Sequence, residues 1–204
     1  MVAKQQRRGI LCVLSGPSGS GKTTLCRALS AEDPLCSYAI SCTTRPMRDG
    51  EVDGRDYHFL SEEDFLARVE KGDLLEHARV HGHLYGTLKS SVFTQVENSR
   101  DVLMDIDVQG AALIRENPDP GIQASLVDVF VIPPSQDELE ARLGGRGTES
   151  QESFALRMEN ARAEMEHSEK YAYTIVSGTR EEDLQQLRSI IEEERKRESR
   201  LVGS

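Results

Sequence analysis

Ten residues near the start of the chain, Ser15-Gly16-Pro17-Ser18-Gly19-Ser20-Gly21-Lys22-Thr23-Thr24, constrain the fold more than any other stretch. They contain G-x-x-x-x-G-K-[ST] in full, from Gly16 to Thr23. The apolar run Ile10-Leu11-Cys12-Val13-Leu14 precedes them and the helix-like Thr24-Leu25-Cys26-Arg27-Ala28-Leu29 follows. An ordinary Gly/Ser turn needs neither the lysine nor this strand–loop–helix context, so the stretch reads as a phosphate-binding loop. Its glycines let successive backbone N–H groups turn inward onto phosphate oxygens, and the helix N-terminus adds partial positive charge. Lys22 is placed to reach the β- and γ-phosphates, and the Thr23 hydroxyl to ligate Mg²⁺.

The remaining composition narrows the setting of that loop. With 204 residues, 37% of them hydrophobic and 29% charged, the chain suits one globular unit with inserted subdomains. No apolar run approaches membrane-spanning length, and the first eight residues lack the apolar core of a signal peptide. Cys12, Cys26, Cys36 and Cys42 have no C-x-x-C spacing and read as small buried hydrophobes, which places the protein in a reducing, cytoplasmic setting. The formal net charge of −10 argues against a nucleic-acid surface. Anion binding by such an acidic chain requires arginines gathered locally. Arg45, Arg48 and Arg55 form one such group, and Arg142, Arg146 and Arg157 another.

Apolar strands alternate with helical segments along the chain. Ile10–Ser15, Tyr38–Ser41, Asp101–Asp107, Val127–Ile132 and Ala172–Val176 read as strands. Asp105 and Asp107, two residues apart, are expected on one face of their strand. The helices expected between and after these strands include Gln109–Glu116, Ser135–Leu143, Ser150–Ser168 and a final one capped by Thr179-x-x-Glu182. Gly144–Gly147 reads as a hinge, and Asn117–Gly121 as a helix breaker. The segment 41–98 breaks the alternation. It holds a donor-rich loop, a helix from Ser61 to Lys71 with Phe65, Leu66 and Val69 on one stripe, a hairpin through His81-Gly82, and a short helix over Ser90–Val96. The fold class is α/β: a P-loop NTPase three-layer core with a mainly parallel sheet, an inserted α+β subdomain and a helical lid. The core is expected over 1–40, 99–133 and 163–204, the inserted subdomain over 41–98 and the lid over 134–162. His77, His81 and His83 read as hairpin histidines, because Gly82 interrupts the strand and no thiol lies nearby.

Four segments together resemble the guanylate kinase family. They are the Gly16–Thr23 loop; Ser41-x-Thr43-Thr44-Arg45-x-x-Arg48-x-Gly50-Glu51-x-x-Gly54-x-x-Tyr57-x-Phe59; Leu103-Met104-Asp105-Ile106-Asp107-Val108-Gln109-Gly110; and Arg142-Leu143-x-x-Arg146-Gly147. The likeness runs from about Arg8 to Arg197. It implies reversible transfer of ATP's γ-phosphoryl group to GMP or dGMP in purine nucleotide metabolism, with Mg²⁺, by a monomer or homodimer that binds neither nucleic acid nor membrane. Gly16, Pro17, Ser18, Gly19, Ser20, Gly21, Lys22, Thr23 and Thr24 then bind ATP. Arg45, Arg48, Tyr57 and Tyr85 match residues that hold the GMP phosphate, and Ser41, Glu76, Thr87 and Asp107 match guanine readers. Lys22 and Arg45, with the lid arginines Arg142, Arg146 and Arg157, fall at catalytic positions. Thr23 ligates the metal, and Asp105 either acts on it through water or is a satisfied strand-end carboxylate.

The chemistry of the groups agrees with these assignments. Arginine forks and a tyrosine hydroxyl suit a phosphate dianion. Guanine offers N1–H and N2–H₂ donors to carboxylates and its O6 to hydroxyls. After the last strand the loop Ser177-Gly178-Thr179-Arg180 replaces the family's Asn-Asp type loop near the ATP adenine. Two other functions fit parts of the pattern. A phosphopeptide-binding scaffold would use the acceptor-site arginines without turnover, and a kinase of a phosphorylated ribose would have no use for Glu76 and Asp107.

Overall fold

The computed structural model describes residues 7–80, 82–144 and 151–200. At its centre is β1 (Leu11–Ser15), every residue of which is buried. Parallel neighbours flank it: β7 (Asp101–Asp105) on one side and β8 (Leu126–Ile132) on the other. The edges are β2 (Cys36–Tyr38) and β9 (Tyr173–Val176), giving the order β2-β7-β1-β8-β9. All four pairings are parallel. The apolar run that precedes the phosphate loop does not alternate with polar residues because both of its faces are covered. Ile10, Cys12 and Leu14 pack with Leu25 and Leu29 of α1 (Lys22–Glu32) and Leu187 and Ile191 of α8 (Arg180–Arg195). Leu11 and Val13 face the opposite layer, with Val92 and Val96 of α3 (Lys89–Glu97) and Ala111 and Ile114 of α4 (Val108–Arg115).

A second, four-stranded sheet stands beside this core in the order β4-β3-β6-β5. Its strands are β3 (Cys42–Thr43), β4 (His58–Phe59), β5 (Leu74–Val80) and β6 (His83–Leu88). Helix α2 (Glu62–Glu70) covers it, with Ser61 accepting from the Asp64 N–H at its start. Phe65 is fully buried there against Cys42, Leu74 and Leu84, and Val69 packs at the edge. Leu66 is exposed, so the stripe is narrower than its spacing predicts.

The expected strand over Tyr38–Ser41 lies earlier in the chain, as β2 ending at Tyr38, and Ala39–Ser41 cross between the two sheets. The Ala39 N–H still bonds to Leu103 O at 2.9 Å, continuing the large sheet. Ser41 turns its hydroxyl away to Thr87, and the next two residues join the second sheet. A short helix, α5 (Pro120–Ser125), begins inside the predicted breaker Asn117–Gly121. Asp119 caps it and Pro120 supplies a favourable first-turn residue. Helices α6 (Gln136–Gly144) and α7 (Gln151–Met165) pack through Leu139, Met158 and Ala161. The final helix carries the predicted capping box between Thr179 and Glu182.

All four cysteines are free and buried. Burial pushes the Cys12 and Cys26 thiols well up, and that of Cys36 to about 12. Among the described residues no helix is long and apolar enough to cross a membrane.

Candidate active site

The C-terminal ends of β1 and β7 meet the open face of the second sheet around a cavity of about 250 Å³. This is the crevice position that an open parallel sheet reserves for ligands. The lining includes Gly16, Ser18 and Lys22 from the phosphate loop, Ser41, Tyr57, Glu76 and Tyr85 from the second-sheet region, and Asp105 and Asp107 beyond β7. Residues widely separated in sequence are thus gathered around one space.

The phosphate loop leaves β1 at Gly16, whose φ of 140° suits glycine. A Cβ there would stand 2.2 Å from Val131 O, so no side chain fits. Lys22 Nζ folds over the loop, donating to Gly16 O at 2.7 Å, Pro17 O at 2.9 Å and Ser20 Oγ at 3.3 Å. Loss of solvent lowers the lysine's pKa, and Asp105 opposes that shift. Thr23, exposed on the first turn of α1, donates to Asp105 Oδ2.

Pairing in the second sheet builds the opposite wall. Glu76 on β5 stands across from Thr87 on β6, and the Thr87 hydroxyl donates to Glu76 Oε1 at 2.8 Å. Ser41 Oγ lies 3.2 Å from Thr87 Oγ1. Glu76 is only 4% exposed, and burial raises its pKa to about 7. Asp107 does not lie on the strand with Asp105. The strand ends at Asp105, and Asp107 is the N-cap of α4, accepting from the Gly110 N–H at 2.9 Å. The two-residue spacing therefore does not put both acids on one strand face, although both still line the cavity. Gly110 is a residue that the motif contains and the sequence reading gives no role. A Cβ at Gly110 would lie 2.7 Å from Glu76 Oε2, so its absence makes room for the carboxylate.

The predicted arginines are arranged differently from the carboxylates. Arg45, 9% exposed, forks onto Glu51 at 2.7 and 3.0 Å and lies over the rings of Tyr57 and Phe59 at 5.4 and 5.7 Å. Tyr57 and Tyr85 meet edge to face at 6.0 Å. Arg48 is exposed, and its backbone N–H donates to Glu51. Neither arginine lines the cavity. Arg142 bonds to Glu138 at 2.8 Å and to Ser177 Oγ at 2.9 Å, and Ser177 in turn donates to the buried Asp183. The atypical loop after the last strand is thus anchored by Asp183, which also accepts from the Gly178 N–H. Arg157 is half-buried on α7, outside the cavity lining, and Arg146 lies outside the described residues.

The cavity also contains an acid that sequence reasoning misses. Glu164 of α7 lines it, and burial raises its pKa to about 6, with Lys22 opposing the shift. No local signal marks it: Phe154, Met158, Ala161 and Met165 already complete the apolar stripe of α7, and Glu164 stands beside that stripe.

The family model described as guanylate kinase matches residues 8–194. The chain belongs to the guanylate kinase family. A guanylate kinase from Paramagnetospirillum magneticum is 45% identical over 97% of this chain and 90% of its own length. One from Thermotoga maritima is 41% identical over 95% of this chain and 91% of its own. The crystal structure of guanylate kinase from Anaplasma phagocytophilum superposes with a TM-score of 0.81 at 31% identity, covering 97% of this chain and 92% of that one. This family member therefore has the α/β P-loop NTPase fold, with its wholly parallel five-stranded sheet.

Proposed function

We propose that the chain is an ATP:GMP phosphotransferase that also accepts dGMP, acting in cytoplasmic purine nucleotide metabolism. One observation carries the reading: the phosphate loop opens into the same cavity as Ser41, Glu76 and Asp107, with Thr87 fully buried against Glu76. A phosphate donor and a guanine acceptor can then meet without crossing solvent. In this reading residues 41–98 bind GMP and residues 134–162 form the lid. Ser41 presents its hydroxyl to guanine O6, the buried Thr87 joins it by turning its own hydroxyl from Glu76, and Glu76 and Asp107 accept from N1–H and N2–H₂. Tyr57 and Tyr85 face the GMP phosphate. Arg45 joins them by exchanging Glu51 for the dianion, which forms stronger charge-assisted bonds, and the exposed Arg48 adds its guanidinium. Lys22 leaves its loop carbonyls for the donor's phosphates, and Arg142, Arg146 and Arg157 close on the transferred group.

The Thr23 hydroxyl beside the Asp105 carboxylate fits Mg²⁺, a hard cation that takes few protein oxygens and keeps most of its water. When bound, the ion neutralises charge on the donor phosphates. The protein's own part is positional and electrostatic, because two anionic groups must be brought into line. The test is ADP formation from ATP and Mg²⁺ with GMP, dGMP, AMP, CMP or UMP supplied separately. Turnover confined to GMP and dGMP is expected. Activity with a different acceptor would remove the guanine assignment.

The raised pKa of Glu76 sets the pH behaviour. Its contribution to the stability of the nucleotide-free fold is fully present below the ordinary value of 4.5 and is lost as pH rises through about 7. Over that interval the parent is expected to lose up to roughly 3 kcal/mol that Glu76→Gln does not lose. Paired denaturant titrations from acid to neutral pH check this, and identical pH slopes for the two chains would contradict it. GMP, which needs the ionised carboxylate, is expected to bind more weakly as pH falls below about 7.

Gly110→Ala supplies a separate check. The added methyl displaces the Glu76 carboxylate while suiting the helix, which gains about 0.8–1.0 kcal/mol of intrinsic propensity. GMP affinity is expected to fall about tenfold with ATP affinity unchanged. Unaltered GMP binding would show that this close contact is irrelevant to the acceptor.

A further inference from the structure

Each oxygen of the Asp105 carboxylate has its own hydroxyl partner. Thr23 donates to Oδ2, and the Tyr38 hydroxyl donates to Oδ1. Tyr38 ends β2 and is in register with Leu103, on the strand that Asp105 terminates, so the neighbouring strand delivers the phenol. The Arg27 guanidinium, from α1, lies over the Tyr38 ring at 5.7 Å. The same guanidinium pairs with Asp56 at 2.7 Å. Asp56 also accepts from the Val52 N–H and from Arg55, each at 2.9 Å, which closes the turn immediately before Tyr57. Asp56, Arg27, Tyr38, Asp105 and Thr23 therefore form a continuous path from the acceptor loop to the phosphate loop. Arg27, Tyr38 and Asp56 do not line the cavity.

We propose that Tyr38 is a positioning residue that holds Asp105 against Thr23 and, through Arg27 and Asp56, couples the acceptor loop to the metal-bearing donor site. The proposal rests on the acceptor and donor assignments made above. The hydroxyl removes the rotational freedom of the carboxylate, so that Oδ2 stays with Thr23. Acceptor binding orders the turn that carries Asp56, which fixes Arg27 over the ring. The donor and its cation then bind a site already partly ordered, and the linkage must act equally in the other direction.

Calorimetric titration of GMP, with and without Mg²⁺ and a non-hydrolysable ATP analogue, tests the link. In the parent chain the donor is expected to tighten GMP binding about fivefold. Tyr38→Phe keeps the ring under Arg27 and loses only the hydroxyl. It should leave GMP affinity without donor within about twofold of the parent, bring the coupling factor close to one, and raise the Mg²⁺ concentration for half-maximal analogue binding about tenfold. Asp56→Asn should lower the coupling while leaving the Mg²⁺ dependence of the analogue alone unchanged. Parental coupling in both variants, or no coupling in the parent, would overturn the proposal and leave the acceptor assignment standing. A parent chain that does not bind GMP would overturn both. Should Tyr38→Phe not fold, Arg27→Met breaks the same path from the exposed side of α1 and is expected to abolish the coupling; parental coupling there would equally overturn the link.

Discussion

Lys22→Ala is expected to lower turnover by about 10³-fold or more while the protein stays folded. Among the described residues Lys22 Nζ bonds only to groups of its own loop, Gly16 O, Pro17 O and Ser20 Oγ, so none of the distant elements described is held by it. Its charge is what the reaction needs, because donor and acceptor phosphates repel each other as they approach. Loss of solvent lowers the lysine's pKa in the folded chain. At neutral pH, below the unfolded value of 10.5, holding that ammonium protonated counts against folding. The variant should therefore melt no lower than the parent. Steady-state ADP formation beside a thermal melt gives both answers, and turnover above a tenth of the parent's would refute the role.

The second large effect concerns the acceptor base. The double substitution Glu76→Gln with Asp107→Asn is expected to cut kcat/KM for GMP roughly a few hundredfold, since each mismatched buried donor costs about 1–3 kcal/mol. It should also narrow the preference for GMP over AMP, because an amide can face adenine's bare N1 where a carboxylate repels it. The fold offers a clean test. Asparagine caps a helix about as well as aspartate, so the α4 N-terminus keeps its bond to Gly110. Glutamine still accepts from Thr87 across the β5–β6 pair. Measuring kcat/KM for both acceptors decides the matter; GMP efficiency within threefold of the parent would move the guanine site elsewhere.

Local chemistry made most of this architecture readable in advance. The phosphate loop, the Ser61 and Thr179 caps and the Gly82 hairpin each follow from a few adjacent residues, and each occurs in the structure. The errors came where a distant partner decides. Ala39–Ser41 reads as strand, yet the backbone leaves the large sheet after Ala39, and Cys42 and Thr43 pair with β6 instead. Asp107 keeps strand spacing from Asp105 but sits two residues past the end of the strand, where it caps α4. Leu66 completes a plausible stripe, but Phe65 and Val69 face the second sheet while Leu66 is left exposed. Glu164 and Tyr38 carry no motif, and their importance appears only when α7 and β2 are set against the cavity and the Asp105 carboxylate. The motif that suggests Arg45 and Arg48 for a phosphate carries no sign of their present contacts with Glu51, through the Arg45 guanidinium and the Arg48 backbone N–H.

The four buried thiols give the folded protein a silent chemical surface towards alkylating reagents, which attack thiolates that water can reach. Each cysteine becomes a clock for the opening of its own surroundings. Cys12, Cys26 and Cys36 report on the parallel sheet and the helical layer over it, and Cys42 on the smaller sheet. Labelling followed site by site would thus separate breathing of the smaller sheet from global unfolding, with no residue introduced for the purpose.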